Sequence, residues 1–290
     1  MKHSIKFIAI ICILLTTLES QAETKKRDLA KKLYVTSGLE KDINHMPEIM
    51  KNRANKDLKE KEFQDDAFAK DYIKFVNDLI DSTYSPKIYT EAIIDKFDKS
   101  MNTQQLEYVI NWYKSPLGQK YIESANKYYG PDKQKEFDLF VKNLEQAPPT
   151  KNRIDLIREI ERRTDYINFN TDMIINEQIS ATFATIYATT ESTDQLTLDF
   201  IKTSIEAQRS YIKNIMDKKL INYLHFFYQE FNDIELNKMI EFFSSVHGNL
   251  YRSSINSATI EAHKIATFKF GQKIVDFCSS YHEQSKPLDS

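Results

Sequence analysis

Apolar residues recur every three or four positions along most of the chain, with lysine, glutamate, aspartate and asparagine between them. This spacing places the apolar side chains on one side of an α-helix and the polar ones on the other. Alternation with a period of two, which is typical of a half-buried strand, is nowhere sustained. The pattern therefore predicts an all-α protein. The clearest stripes are Phe68–Ile80, Leu106–Leu117, Leu198–Ile205 and Leu236–Phe243.

A pair of prolines divides the chain into two parts of similar length. Pro148 and Pro149 cannot both continue a helix, and together they stiffen a connector. We expect two related multi-helix modules in tandem, on either side of this point. The predicted segments are a signal peptide at 1–22, a first helical module at 23–147, a proline-rich linker at 148–152, a second helical module at 153–284 and a polar tail at 285–290.

The two parts share a motif at a constant offset of 130 positions. Between residues 106–126 and residues 236–256, seven of twenty-one positions are identical without a gap. The matched pairs include Gly118 and Gly248, in a chain that has only five glycines. Such self-similarity indicates a duplicated structural unit.

Each copy of the motif is interpreted as a helix, a corner and a second helix. The hydroxyl of Ser115 can cap the second helix, and Pro116 suits its first position, where no N–H is needed. Gly118 lacks a side chain in the first turn, so that a neighbouring helix can approach closely. Val246 takes the place of Pro116 in the second copy, where a softer bend or none is expected. The residues assigned to the two corners are Trp112, Tyr113, Ser115, Pro116, Gly118, Phe242, Phe243, Ser245 and Gly248.

The first corner resembles the signature of domain-of-unknown-function family 2059, a group of bacterial, mostly exported, helical domains. The resemblance rests on segment Trp112–Lys120, W-Y-K-S-P-L-G-Q-K, with Leu106 near the start of the preceding helix. Segment Leu29–Lys41 is similar to the opening helix of the family, and the second corner matches the signature more loosely. The resemblance implies export and an all-helical fold, and it brings no established catalytic residues.

The first twenty-two residues have the pattern of a secretory signal peptide. Lys2 and Lys6 supply positive charge, Phe7–Leu18 is an apolar run, and Ser20 and Ala22 are small residues before a cleavage site. The apolar run is too short to span a bilayer comfortably. A soluble product in the periplasm or outside the cell is therefore expected, with an uncleaved anchor as the alternative.

Charge argues against nucleic acid as a partner. The chain has 40 lysines and arginines against 42 aspartates and glutamates, a formal net charge of −2 at pH 7. A near-neutral protein has no overall attraction to nucleic acid or anionic lipid. No stretch after the signal peptide is long and apolar enough for a membrane span. The expected partner is an envelope or extracellular protein, without nucleic acid and without stable membrane insertion after signal cleavage.

Cys278 would be the one thiol left after signal cleavage, which excludes an internal disulfide. Its spacing from Phe270, Ile274 and Phe277 places it with them on one apolar helix face. A buried thiol behaves as a small hydrophobe, so burial is the expected state of Cys278. Pairing with another molecule is the alternative.

Familiar catalytic and metal-binding patterns are missing from the sequence. No two of the five glycines lie within ten residues of each other, which excludes phosphate-binding loops and the hydrolase nucleophile elbow. No two histidines stand three or four positions apart, as a zinc-binding helix would require. Asp42, His45 and His247 are the candidates for any hydrolytic role, although solvated positions explain them better. No catalytic residue, cofactor or metal site is predicted.

Aromatic residues are unusually frequent, with 16 tyrosines and 18 phenylalanines. Residues 225–231 carry four aromatic side chains, more than one helix face can hold. This segment is either buried on most sides or lines an apolar groove, and burial is favoured because aromatic stripes normally pack interiors. The candidate groove residues are His225, Phe226, Phe227, Tyr228 and Phe231.

These features favour an exported, soluble, non-catalytic helical protein that binds another macromolecule at the bacterial envelope or outside the cell. Helical repeats present continuous surfaces that suit such binding. A second hypothesis is a carrier or sensor of a small apolar ligand held between helices near residues 226–231. A third is an unrecognised hydrolase.

Overall fold

A computed structural model describes residues 23–59, 66–127, 133–189 and 195–284, and the predicted signal peptide and polar tail lie outside these ranges. Within them the chain forms thirteen α-helices and no strand, which confirms the predicted all-α fold. None of the described helices has the length and apolarity needed to cross a membrane. The helices are α1 (23–36), α2 (Leu39–Lys59), α3 (Asp66–Thr83), α4 (Pro86–Ser100), α5 (Thr103–Lys114), α6 (Pro116–Lys127), α7 (Lys133–Gln146), α8 (Lys151–Thr164), α9 (Tyr166–Thr189), α10 (Gln195–Glu206), α11 (Arg209–Phe227), α12 (Asp233–Ser244) and α13 (Val246–Gln284).

Two helices begin with the same reciprocal cap. Oδ1 of Asn102 before α5, and Oδ1 of Asn232 before α12, each accept a hydrogen bond of 2.9 Å from the backbone N–H three residues later. In return, the side chains of Gln105 and Glu235 accept hydrogen bonds from the backbone N–H groups of these asparagines. The capping box satisfies backbone donors that a helix start leaves unpaired. The two boxes are 130 positions apart, like the two corners.

A residue with positive φ joins two other helix pairs. Gly38, with φ 84°, lies between α1 and α2, and Asp165, with φ 54°, lies between α8 and α9. A Cβ atom on Gly38 would lie 3.2 Å from Cγ2 of Ile122 in α6. Glycine at this turn therefore provides both the left-handed backbone and a close contact with α6. Ser37 and Thr164, which precede these two turns, are both buried.

One continuous hydrophobic cluster contains residues from both sides of the proline pair. Helix α13 has 39 residues, lies along α9 and α4, and also contacts α3, α5 and α12. Ala258, Ala262 and Ala266 recur every fourth residue on its buried side, where small side chains allow a close approach of helices. The chain is non-helical from residue 147 to residue 150, before α8 begins. Division into modules at this linker stays a prediction.

The prediction of a buried Cys278 is wrong, because this residue is exposed near the end of α13. Phe277 stacks on Phe75 of α3 with ring centroids 4.2 Å apart, and Phe270 and Ile274 pack against the core. With 3.6 residues per helical turn, the residue after Phe277 points about 100° away from this contact. Near the end of α13, the face that packs against α3 therefore includes Phe277 and does not extend to the thiol.

Candidate functional site

Ser115 and Ser245 form nearly identical corners in the two copies of the motif. Ser115 has φ −68° and ψ 159°, and Ser245 has φ −67° and ψ 152°. Each hydroxyl donates to the carbonyl three residues earlier and accepts from the glycine N–H three residues later. The softer bend expected at Val246 is therefore wrong, because the serine hydrogen bonds shape both corners without requiring proline.

Gly118 and Gly248 allow each corner to close onto its own preceding helix. A Cβ atom on Gly118 would lie 2.3 Å from the carbonyl oxygen of Trp112. A Cβ atom on Gly248 would lie 2.1 Å from the carbonyl oxygen of Phe242. Both distances are far below a van der Waals contact, and the obstructing atoms belong to backbone that cannot rotate away. Any side chain at these positions would therefore force the two helices apart.

The two corners face each other through their aromatic pairs. Trp112 stacks on Phe242 with ring centroids 3.9 Å apart and an interplanar angle of 10°. Around this stack, Trp112 lies 6.0 Å from Phe243, and Phe242 lies 6.2 Å from Tyr113. At the offset of 130 positions, Trp112 matches Phe242 and Tyr113 matches Phe243. The two contacts are therefore equivalent when the two copies are exchanged.

The same exchange relates contacts farther from the stack. Tyr113 lies 5.4 Å from Tyr251, and Phe243 lies 6.2 Å from Tyr121, measured between ring centroids. Tyr251 also contacts Phe97 of α4 at 5.5 Å, and Tyr121 contacts the corresponding residue of α11, Phe227, at 5.4 Å. The aromatic contacts around the corners therefore follow an approximate two-fold arrangement.

Lys120 in α6 makes a contact that departs from this arrangement. Its Nζ donates to both carboxylate oxygens of Glu235 in α12 at 2.8 Å, and it lies 4.8 Å from the ring centroid of Phe231. Burial raises the pKa of Glu235, but hydrogen bonds from Lys120 and from the backbone of Asn232 outweigh burial and lower it overall. The position matching Lys120 in the second copy is Leu250, so the pair occurs on one side only.

A cavity of about 180 Å³ lies beside the paired corners. Its walls come from α6, α11, α13, the start of α2 with the turn before it, the end of α8 and the start of α9. An apolar cavity of roughly 150 Å³ is enough to bind benzene. The cavity therefore has room for a small organic molecule. Its apolar wall is formed by Ile122, Ala125, Leu224 and Phe227.

Two opposite charges lie at the cavity wall, on Arg252 of α13 and on Asp42 of α2. The Nε atom of Arg252 is buried and has no hydrogen-bond partner within the described ranges. Arg153, Arg158 and Arg209 each form an ion pair with an aspartate. Arg252 forms no such ion pair with any carboxylate that the structure describes, so its guanidinium differs from these other arginines.

Tyrosine hydroxyls complete the polar part of the wall. Burial raises the pKa of Tyr121, Tyr166 and Tyr228 above its ordinary value, and the nearby charge of Arg252 offsets only part of this effect. The hydroxyls of Tyr121 and Tyr228 are hydrogen-bonded to each other. All three phenols therefore stay neutral at physiological pH, and one O–H donor of the Tyr121–Tyr228 pair is already used within that pair.

The candidate groove segment belongs mainly to the core. All five of its predicted residues are buried, namely His225, Phe226, Phe227, Tyr228 and Phe231. Phe227 and Tyr228 line the cavity, whereas Phe226 packs on Phe140 of α7 with ring centroids 5.2 Å apart. The structure thus places two of the five residues at a ligand-sized space.

The three candidates for hydrolytic chemistry have different surroundings. Asp42 lines the cavity, but His45 lies outside its lining and its Nδ1 is 2.7 Å from the carbonyl oxygen of Lys41. The ring of His247 lies 4.5 Å from that of Tyr108 and is also outside the cavity lining. Across the described parts of the chain, no three His, Cys, Asp or Glu side chains gather as a metal site would require.

Arg252 was missed by reasoning from the repeated motif. It follows the matched Tyr251, and its counterpart in the first copy is the apolar Ile122. A motif search selects positions that agree between copies, whereas this site depends on a position at which they differ. The available signal was the change from an apolar to a charged residue between the matched positions Ile122 and Arg252.

Residues 90–131 match the model of a family described as "Uncharacterized protein conserved in bacteria (DUF2059)". The matched segment begins in α4 and includes α5, the first corner and α6. The resemblance predicted from Trp112–Lys120 is therefore confirmed for the first copy, while the membership of a second copy stays a prediction. No curated protein and no solved structure matches the chain.

Proposed function

We propose that this chain is an exported, non-catalytic helical binding protein whose ligand is a small molecule held in the cavity beside Phe227 and Arg252. The cavity of about 180 Å³ is the observation that carries the proposal. Its wall combines apolar side chains with a few convergent polar groups, as small-molecule sites usually do. This favours the ligand-carrier hypothesis over the macromolecular one.

We also propose that the fold contains two related modules. Support comes from the capping boxes at Asn102 and Asn232, from the corners at Ser115 and Ser245, and from the exchangeable aromatic contacts around them. In this proposal the ligand site lies between the two modules. The first module contributes the apolar Ile122 to its wall, and the second contributes the charged Arg252 at the matching position. Export is supported by the signal-like sequence of residues 1–22.

Binding of a macromolecular partner is a second candidate function, favoured by an exposed apolar face on α10. Leu196 is 80% exposed and Phe200 is 71% exposed, and the two lie one helical turn apart. Serine at both positions would remove this face without altering the cavity. Loss of an envelope partner from pulldowns with that variant would support this second function, and unchanged capture would reject α10 as the surface.

Native mass spectrometry of the chain purified from its own host tests the proposed function. We expect one small molecule per folded chain, released under denaturing conditions. Ala125→Phe, which fills the apolar wall, should abolish the bound mass. Ala207→Phe, which adds the same side chain at an exposed turn, should retain it. Repeated absence of any bound molecule from the folded wild-type chain would contradict the proposal.

A further inference from the structure

Arg252 brings a positive charge to the cavity wall without a charged partner among the described residues. Its side chain is half-buried, and arginine stays protonated in proteins. Removing a charge from water is costly unless an opposite charge or several hydrogen bonds compensate for it. Because Arg252 lines the cavity and no carboxylate among the described residues pairs with it, its guanidinium makes this part of the wall suited to an anion that enters from outside.

The neighbouring tyrosines cannot supply that negative charge, because burial keeps Tyr121, Tyr166 and Tyr228 neutral. One hydroxyl of the Tyr121–Tyr228 pair donates within the pair, so the other hydroxyl of that pair and the hydroxyl of Tyr166 can donate hydrogen bonds to an anionic oxygen. A planar guanidinium with additional hydroxyl donors is well matched to a carboxylate, which accepts two parallel hydrogen bonds from arginine.

Asp42 limits the charge that the cavity can accept. It lines the same wall as Arg252, and its charge opposes that of Arg252 in its effect on the Tyr121 hydroxyl. A second negative charge on the ligand would be repelled by the negative charge of Asp42 in the same wall. The cavity therefore favours a monoanion over a dicarboxylate or a phosphate monoester.

The rest of the ligand must be apolar and small. Ile122, Ala125, Leu224 and Phe227 offer no hydrogen-bonding side chains. The volume of about 180 Å³ suits a body of about the size of a benzene ring with one attached group. A larger amphiphile, such as a long-chain fatty acid, would have to leave most of its chain outside.

We infer that the cavity binds small monocarboxylates with an apolar body, and that Arg252 and the adjacent tyrosine hydroxyls hold the carboxylate. This inference rests on the proposed function, since it specifies the ligand class of the same cavity.

Calorimetric titration of the purified chain with sodium benzoate, benzamide and phthalate tests this ligand class. These probes share a ring but carry one negative charge, none and two. We expect benzoate to bind at least tenfold more tightly than either of the others. Arg252→Gln should weaken benzoate binding at least tenfold and leave benzamide binding unchanged. The control Arg162→Gln removes the same charge at a side chain that is 68% exposed, and it should have no effect.

Folding of the Arg252→Gln variant is checked by circular dichroism before titration. If that variant does not fold, Tyr166→Phe probes the same wall, because it removes one hydroxyl and preserves the ring. We then expect benzoate affinity to fall severalfold with little change in benzamide affinity. Unchanged benzoate affinity in a folded variant would overturn the inference.

The outcomes separate this inference from the proposed function. Equal affinities for benzoate and benzamide, or no benzoate binding at all, would overturn the monocarboxylate inference. A bound neutral molecule in the native mass spectrum would then leave the proposed function standing. Absence of both a bound molecule and probe binding would overturn the two together.

Discussion

Trp112 and Phe242 are 130 positions apart in the sequence and stack face to face, with ring centroids 3.9 Å apart. They occupy the same place in the two copies of the corner motif, so each copy offers its aromatic side chain to the other. A contact in which one patch meets its own counterpart is typical of symmetric dimers. Here a similar arrangement occurs within one chain.

Replacing both Trp112 and Phe242 should lower the free energy of unfolding by less than the sum of the two single replacements. We expect Trp112→Ala and Phe242→Ala each to lower the free energy of unfolding by roughly 3 kcal/mol. Their combined loss should fall short of the sum by about 1 kcal/mol, because either substitution already removes the stack. Urea denaturation measures all three values. The control cycle between Trp112 and Phe140 should be additive, and additivity in both cycles would contradict a coupled stack.

Gly118→Ala should destabilise the first corner by about 3 kcal/mol, because the new methyl group would meet backbone atoms of the preceding helix. Pro116→Val reproduces the residue found at the second corner and should change the free energy of unfolding by less than about 1 kcal/mol. Ser245 keeps its corner geometry before Val246, which is the physical reason for this tolerance. If urea denaturation gave the same loss in the free energy of unfolding for both variants, the roles assigned to Gly118 and Pro116 would be wrong.

His225 should make stability fall with decreasing pH. Burial lowers its pKa below 6.5, and the charges of Arg153 and Arg158 lower it further. Between that lowered pKa and 6.5 the unfolded chain binds more protons than the folded chain. The free energy of unfolding should therefore decline as the pH drops below about 7. His225→Gln should flatten this part of the profile in urea titrations at successive pH values, and parallel profiles for the two proteins would contradict the prediction.

Lys120→Met should lower the free energy of unfolding by roughly 1 kcal/mol at neutral pH, because Glu235 loses a bidentate partner at a partly buried site. The pKa of Glu235 is lowered in the folded chain, so its contribution is present above 4.5 and is lost as the pH falls through the lowered value. The difference between wild type and variant should therefore shrink in acid. Lys87→Met, at a pair whose side chains are 80% and 62% exposed, is the control and should have almost no effect. If Lys120→Met and Lys87→Met lowered the free energy of unfolding equally, the partly buried contact between Lys120 and Glu235 would add nothing beyond an exposed ion pair.

Local sequence patterns were sufficient to predict the all-α fold class and the elements of the corners. Apolar periodicity identifies a helix wherever one face is buried, and a serine three residues before a glycine marks both Ser115 and Ser245. Asn102 and Asn232 each precede a glutamine or glutamate by three residues, which is the spacing of a capping box, but this signal was not used to predict the two caps. These features depend on interactions within a few residues.

The cavity could not be predicted in the same way because its walls are assembled by tertiary contacts. Gly38, Tyr166 and Arg252 come from three distant parts of the chain and share no motif. Cys278 shows the converse error, since helical spacing placed it near an apolar face without revealing where the core ends. Periodicity indicates that a face is apolar, but tertiary contacts decide which neighbour covers it.

Crystallographic analysis of the chain purified from its own host would test whether the cavity is a ligand site. We expect electron density for one small organic molecule between Phe227 and Tyr166, with its polar end within hydrogen-bonding distance of the Arg252 guanidinium. A cavity that contains only water, in crystals of folded protein that has not been stripped of ligand, would contradict this expectation.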